Sequence, residues 1–249
     1  LMQDVFLDWD KVLYLDSDMI VLRDVAELFD MNVEGYLLAA CKDADTAGLY
    51  NGYDPARKPY TDEVLKLNNP YDYFQAGTIL FNLAMFRDAF EVGDMFQLAS
   101  SEQWKLLDQD VLNVLAQGCV KHVPMEWNVM TDWRGLRIKR IISRAPADMR
   151  DEYMEARNHP AIVHYAGPEK PWDDPDSDMA DCFWNYAART PFHDALLERL
   201  AANAGKKKLI SDKTWDVLYP AYTRLFPDGS RRREALAALY RKLVAGKRG

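Results

Sequence analysis

Residues 11–29 read KVLYLDSDMIVLRDVAELF. An apolar run, Val12–Leu15, ends in Asp16-Ser17-Asp18, and Met19-Ile20-Val21-Leu22 then continues apolar. This is how a strand buried on both faces and delivering acids at its end reads. Asp24 follows as an N-cap for a short helical turn over 25–29. Outward from this stretch, Tyr36–Cys41 reads as a second buried strand. Phe74–Phe81 reads as a third, with Ala76-Gly77 inside it; glycine there marks close approach by a ligand or backbone. Residues 122–124 and 162–164 are short strands. Amphipathic helices are expected over 83–99 and 108–115, the latter with Val111, Leu112 and Leu115 as its stripe. Further helices are expected over 178–188, 192–202 and 231–244. Residues 42–72 carry Gly48, Gly52, Pro55, Pro59 and Pro70 and read as a long loop, a length that is usually functional. Strands alternating with helices give an α/β sheet domain, followed by an all-helical C-terminal part.

Composition bounds the answer. Of 249 residues, 49% are hydrophobic and 12% aromatic, enough for one well-buried globular domain with or without an appendage, and too apolar for a disordered or fibrous chain. No run of about 18 apolar residues is present to span a membrane. The chain opens with Asp4 and Asp8 where a secretory signal would be basic and then apolar. It begins with Leu1 and enters a strong strand almost at once, so a chain lacking its natural beginning is expected. Cys41, Cys119 and Cys182 are odd in number and widely spaced, which suggests a reducing compartment and offers no disulfide framework.

Charge is unevenly spread. From residue 205 onward there are 12 Lys/Arg against 4 Asp/Glu, a net +8, while residues 1–204 carry 19 against 35, a net −16. An acidic body argues against nucleic-acid binding and fits a body that holds a cation. The basic tail fits an anionic partner; a solvated pair of amphipathic helices is the plainer alternative.

Four constellations carry candidate chemistry. Asp16 and Asp18, one residue apart on extended backbone, point the same way and are hard oxygen ligands for Mn²⁺ or Mg²⁺. His164-Tyr165-Ala166-Gly167-Pro168-Glu169-Lys170 follows another apolar strand. An imidazole can complete a manganese site, Gly167 would let backbone approach a phosphate, and Lys170 would bring it a point charge. A lone histidine is more often a satisfied core residue; the Gly and Lys in the same loop reverse that preference. Asp108-Gln109-Asp110 opens a helix, where acids are ordinary N-terminal residues. Tyr73-Phe74-Gln75-Ala76-Gly77 by itself is an ordinary strand with one polar residue.

Together these segments resemble glycosyltransferase family 8, the retaining family that includes bacterial lipopolysaccharide galactosyl- and glucosyltransferases. The resemblance runs from about Lys11 to Trp172, through KVLYLDSDMIVLRDVAELF, YFQAGTILFNL, LLDQDVLN, Trp127-Asn128 and IVHYAGPEKPW, and FWNYAARTPF looks like its continuation in many bacterial members. It implies a GT-A-type, Rossmann-like mixed sheet flanked by helices, with its first strands missing here and a helical C-terminal extension. The core is placed at residues 1–190, and the helical, basic region at 191–249. By resemblance, Asp16, Asp18 and His164 bind Mn²⁺ (or Mg²⁺) that clamps the UDP diphosphate. The segment around Ser17, with Gly167 and Lys170, contacts the nucleotide. Asp108, Gln75, Ala76 and Gly77 line the donor sugar, and Gln109 lies near the anomeric carbon. Gln75 stands where many members have Asn.

The implied reaction transfers a hexose, galactose or glucose, from a UDP-sugar to a saccharide or lipid-linked saccharide hydroxyl with retention. Same-face attack is favoured because the neutral amide of Gln109 is a poor nucleophile; Asp108 as covalent nucleophile is the minority route. A cytoplasmic enzyme is expected, peripheral on an anionic membrane through 205–249. Two rival readings are an inactive fragment or partner of such an enzyme, and a haloacid-dehalogenase-type phosphatase, which would leave the His164–Lys170 loop unexplained.

Overall fold

The computed structural model describes residues 2–204 and, beyond them, 221, 222, 224–226, 230–232 and 235. The chain divides into two compact units, 1–203 and 204–249. In the second unit the Tyr222 and Phe226 rings lie 5.5 Å apart. The expected helix over 231–244 lies almost wholly outside the described residues.

The first unit opens with a short helix α1 (Met2–Val5), strand β1 (Lys11–Leu15), β2 (Met19–Val21) and helix α2 (Ala26–Phe29), followed by β3 (Leu38–Lys42). The apolar stretch of residues 12–22 is thus two strands belonging to two sheets, with Asp16-Ser17-Asp18 as the link between them. The first sheet has the order β1-β4-β3-β5, where β4 is Phe74–Asn82 and β5 is Val120–Val123. β4 is antiparallel to both β1 and β3, and β3 is parallel to β5. The second sheet runs β2-β7-β6, with β6 at Val129–Met130 and β7 at Ile162–His164.

Alternation along the first sheet buries both faces. Leu38, Ala40, Ile79 and Phe81 pack on one side with Phe86 and Ala116, while Ala39, Cys41 and Leu80 face the opposite core with Val123, Trp127 and Ile162. Each fully buried aliphatic or aromatic side chain of this kind contributes about 1.5–3 kcal/mol.

Two expectations are corrected. Residues 42–72 are not a loop: they form helix α3 (Ala44–Gly48), a wide turn over Leu49–Tyr53, α4 (Arg57–Pro59), a second wide turn over Tyr60–Leu65 and a 3₁₀ turn at Pro70–Asp72. Asp43 caps α3 by accepting the Thr46 N–H, and Ala44, Ala47, Tyr60 and Leu65 are buried. Burial of small and aromatic residues outweighs the local Gly and Pro signals here. Residues 83–99 are two helices, α5 (Leu83–Ala89) and α6 (Val92–Ser101), because Phe90 and Glu91 are extended. Helix α7 (Asp108–Leu115) starts where expected. Helix α8 (Ala147–Asn158), which periodicity alone does not announce, packs with α3 around Met149 and Tyr153. Helices α9 (Ala180–Ala187) and α10 (His193–Ala204) close the unit.

Candidate active site

The ends of β1, β4 and β7 meet at one place. The Asp16 N–H donates to the Gly77 carbonyl at 2.8 Å and the Tyr165 N–H to the Asp18 carbonyl at 2.9 Å. Backbone pairing alone thus brings the Asp16-Ser17-Asp18 link beside β4 and beside the loop after β7. Ligand atoms of Asp16, Asp18 and His164 lie within 4.8 Å of one another. His164 Nε2 is 3.4 Å from Asp16 Oδ2 and 3.3 Å from Asp18 Oδ1.

The contact at the imidazole's other nitrogen favours one neutral tautomer. Nδ1 lies 2.9 Å from Asn128 Oδ1, while the Asn128 amide nitrogen donates to Gln75 Oε1. With the Asn128 oxygen facing it, Nδ1 carries the proton in the neutral ring and Nε2 turns its lone pair toward the two carboxylates. Three electron-rich groups facing one another call for a cation. Two carboxylates and one imidazole are a donor set that suits Mn²⁺ and tolerates Mg²⁺. Gly77 leaves the room for this arrangement: a Cβ there would sit 2.5 Å from His164 Cε1 and 2.8 Å from Gln75 Oε1.

Lys170 Nζ donates to Asp18 Oδ2 at 2.6 Å and to the Tyr165 carbonyl at 2.5 Å. A doubly protonated His164, together with Lys170, holds the Asp18 carboxyl well below the ordinary carboxylate range, against the opposing effect of partial burial; the neutral ring with its lone pair on Nε2 is the form that would ligate a cation. The Tyr14 hydroxyl donates to Asp16 Oδ1 at 2.7 Å, which pushes its pKa up to about 12.

On the other flank, Gln109 is gripped at both ends of its amide. Its Oε1 accepts the Ala76 N–H at 3.0 Å, and its Nε2 donates to Asp43 Oδ2 at 3.0 Å. Gln75, Ala76, Gly77 and Gln109 therefore belong to one polar network with the acid–histidine cluster. Ser17, Asp108 and Gly167 are exposed around it. Asp108 is the first residue of α7 but not its side-chain cap. That position falls to Leu107, at φ +49° with no capping side chain, while buried Asp110 takes the Leu106 N–H and the hydroxyls of Tyr60 and Tyr73. Gly167, at φ +128°, uses a backbone conformation that side chains disfavour.

Sequence reasoning missed Asp43, Asn128 and Tyr14 as members of this network. Asp43 carried a usable signal, an acid at the end of a buried strand, as at Asp16. Asn128 carried one only by resemblance, as part of the Trp127-Asn128 segment, and no role came with it because that role depends on the distant His164.

Comparison with known proteins gives the family and the fold. The model of glycosyl transferase family 8 matches residues 1–176. General stress protein A of Bacillus subtilis is 29% identical over 172 residues, covering 66% of this chain and 53% of that protein. Lipopolysaccharide 1,2-glucosyltransferase of Escherichia coli is 27% identical over 173 residues, covering 67% and 45%. The chain thus spans about half the length of the curated relatives it matches. Among solved structures, the bifunctional glycosyltransferase WbbM in its apo form superposes with a TM-score of 0.72 at 29% identity, covering 80% of this chain and 36% of that one. An active-site mutant of LgtC superposes at 0.59 with 26% identity, covering 76% and 64%.

Proposed function

The chain belongs to glycosyltransferase family 8, and on that premise we propose that it carries the metal- and sugar-binding part of a retaining hexosyltransferase. The donor is a UDP-sugar, galactose or glucose, and the acceptor a hydroxyl of a saccharide or lipid-linked saccharide in cell-surface, lipopolysaccharide-like glycan synthesis. The observation that carries the reading is the close approach of His164 Nε2 to Asp16 and Asp18, at 3.4 and 3.3 Å, with Lys170 on the same Asp18.

Asp16, Asp18 and His164 would hold Mn²⁺ (or Mg²⁺), whose bound charge supplies Lewis-acid stabilisation to a departing diphosphate. Lys170, tethered by the Tyr165 carbonyl, is placed to donate to a phosphate oxygen as charge grows there. Gln75, Ala76 and Gly77 would line the sugar, with Asp108 at the opening. Gln109 would present its remaining amide hydrogen and lone pair beside the anomeric carbon. An amide already engaged by Ala76 and Asp43 is oriented rather than nucleophilic, which supports same-face attack. The acceptor oxygen then bonds to the anomeric carbon as the bond to UDP breaks, and the hydroxyl proton passes to the leaving phosphate oxygen.

Among the described residues no helix is long and apolar enough to cross a membrane. A cytoplasmic setting with peripheral contact through the basic 205–249 segment fits a lipid-linked acceptor, and the acidic body fits no nucleic acid. Calorimetry of UDP binding to the chain, with and without Mn²⁺, tests the core of the reading. Affinity should require Mn²⁺ and be lost in Asp18→Ala and His164→Ala. Mn²⁺-dependent affinity unchanged in both variants would overturn it.

A further inference from the structure

Arg137 plays no part in the reading above, yet it is placed between the two flanks of the site. It is 4% exposed. Its Nε donates to Asp45 Oδ2 at 2.8 Å, its Nη2 to the Ala166 carbonyl at 3.0 Å, and its Nη1 to the Thr131 carbonyl. Its guanidinium lies 4.4 Å from the Trp133 ring centroid. The ring and the guanidinium together back Gly167: a Cβ on that glycine would meet Trp133 Cε3 at 3.3 Å and Arg137 Nη2 at 3.9 Å.

Each partner leads to a different part of the site. Ala166 stands between His164 and Lys170, in the loop that follows β7. Thr131 donates its N–H to the His164 carbonyl at 2.9 Å. Asp45 lies in α3, the helix capped by Asp43, and Asp43 orients Gln109. One planar fork thus ties the loop of His164 and Lys170 to the element that aims the Gln109 amide. A lysine in its place offers one point donor and no fork. The segment from Arg134 to Arg144 holds five basic and no acidic residues, and a guanidinium buried among like charges needs partners to offset its desolvation.

We propose that Arg137 is a positioning residue that fixes the phosphate-side loop, Ala166-Gly167 above all, relative to Asp43 and Gln109. This rests on the family 8 reading of that loop as the one meeting a nucleoside diphosphate. Three variants test it in the full chain: Arg137→Lys, the charge-neutral pair Arg137→Met with Asp45→Asn, and Trp133→Ala. Thermal melting reports folding, and calorimetry with UDP and Mn²⁺ reports the site. In folded variants UDP affinity should fall by roughly tenfold to a hundredfold, the scale seen when supports behind a ligand are removed. Arg137→Lys should lie between wild type and the pair. Where turnover is measured, the donor KM should rise and the acceptor KM stay put, a split that mere loss of folded protein does not produce.

UDP affinity within twofold of wild type in the folded variants overturns the proposal and leaves the family 8 reading standing. Failure of all three variants to fold makes Arg137 a stability residue and equally overturns it. Absence of Mn²⁺-dependent UDP binding in the wild-type chain removes the reading of the loop itself, and the proposal with it.

Discussion

Gln109 illustrates how much one side chain's role depends on what holds it. Asp43 offers Oδ1 to the Thr46 N–H and Oδ2 to both Gln109 Nε2 and the Thr46 hydroxyl. Asp43→Asn keeps a good cap but must place an NH₂ group against one of these donors. Misaiming the Gln109 amide should therefore cost turnover more than donor affinity. Gln109→Ala should lower turnover by roughly 10²–10³, the usual scale for losing one preorganised donor, and Asp43→Asn should follow in the same direction by a smaller factor. Steady-state kinetics in a transferase assay checks this; normal turnover with weakened donor binding would show that the amide only holds substrate. Asp45, two residues on, makes a separate case. Burial raises its carboxyl from 3.8 to about 6 despite Arg137 beside it. The native state then binds that proton more tightly than the unfolded chain, so this group's stabilising contribution is complete below the unfolded value and is lost as pH rises to about 6. Asp45→Asn is neutral throughout. Its Tm relative to wild type should rise between pH 4 and pH 6–7, by an amount on the order of 1–3 kcal/mol in stability. A difference that stays flat across that range would show that Asp45 titrates normally.

At the scale of elements, the strand ends carry the site and the strands were the legible part. β3, β4 and β7 announce themselves as mostly apolar runs because they are buried on both faces, while β1, an edge strand that is half-buried along its length, reads the same way; Asp16, Asp18 and His164 stand at strand ends. What stayed hidden has physical causes. The turns of residues 42–72 are stabilised by contacts with distant partners, among them Asp110 at the hydroxyls of Tyr60 and Tyr73, so no local periodicity reports them. The break between α5 and α6 lies at Phe90, whose carbonyl accepts from Gln3 Nε2 at 3.1 Å; a partner remote in sequence meets the chain where a helix that composition would continue comes to an end. Asn128 and Arg137 meet partners remote in sequence, among them His164, 36 positions from Asn128, and Ala166, 29 from Arg137. β4 shows the reverse case, in which one residue type is dictated by an element's neighbour. Gly77→Ala sets a methyl group against the His164 ring, so either β4 or the imidazole must shift. Mn²⁺-dependent UDP affinity should drop by at least tenfold, about 1.4 kcal/mol, while far-ultraviolet circular dichroism stays native. Unchanged affinity would mean that His164 needs no fixed orientation.

At the scale of the whole molecule, charge and chain division coincide. The structural unit that ends at residue 203 contains the candidate site and the whole net −16, and the unit from 204 onward contains the net +8. Lys206-Lys207-Lys208 and Arg231-Arg232-Arg233 flank Trp215, Tyr219, Tyr222 and Phe226 in sequence. Basic residues near an anionic leaflet contribute about 1 kcal/mol each, and the attraction fades within a Debye length as salt rises. Six such charges and a shallow aromatic contribution suffice for reversible binding without insertion. The acidic body would at the same time be repelled, which keeps contact confined to the basic segment and leaves the site open to a water-soluble donor. The full chain should co-sediment with vesicles containing phosphatidylserine, should not do so with purely phosphatidylcholine vesicles, and should be released as salt is raised toward 0.5 M. A chain ending at residue 204 should stay in the supernatant under every condition while melting within a few degrees of the full chain, because among the described residues the core clusters are built from residues 1–203. Equal sedimentation of the two proteins would place any membrane contact on the body. Loss of the body's melting transition on truncation would instead make the basic segment part of its packing, with its charges turned to water for solubility alone.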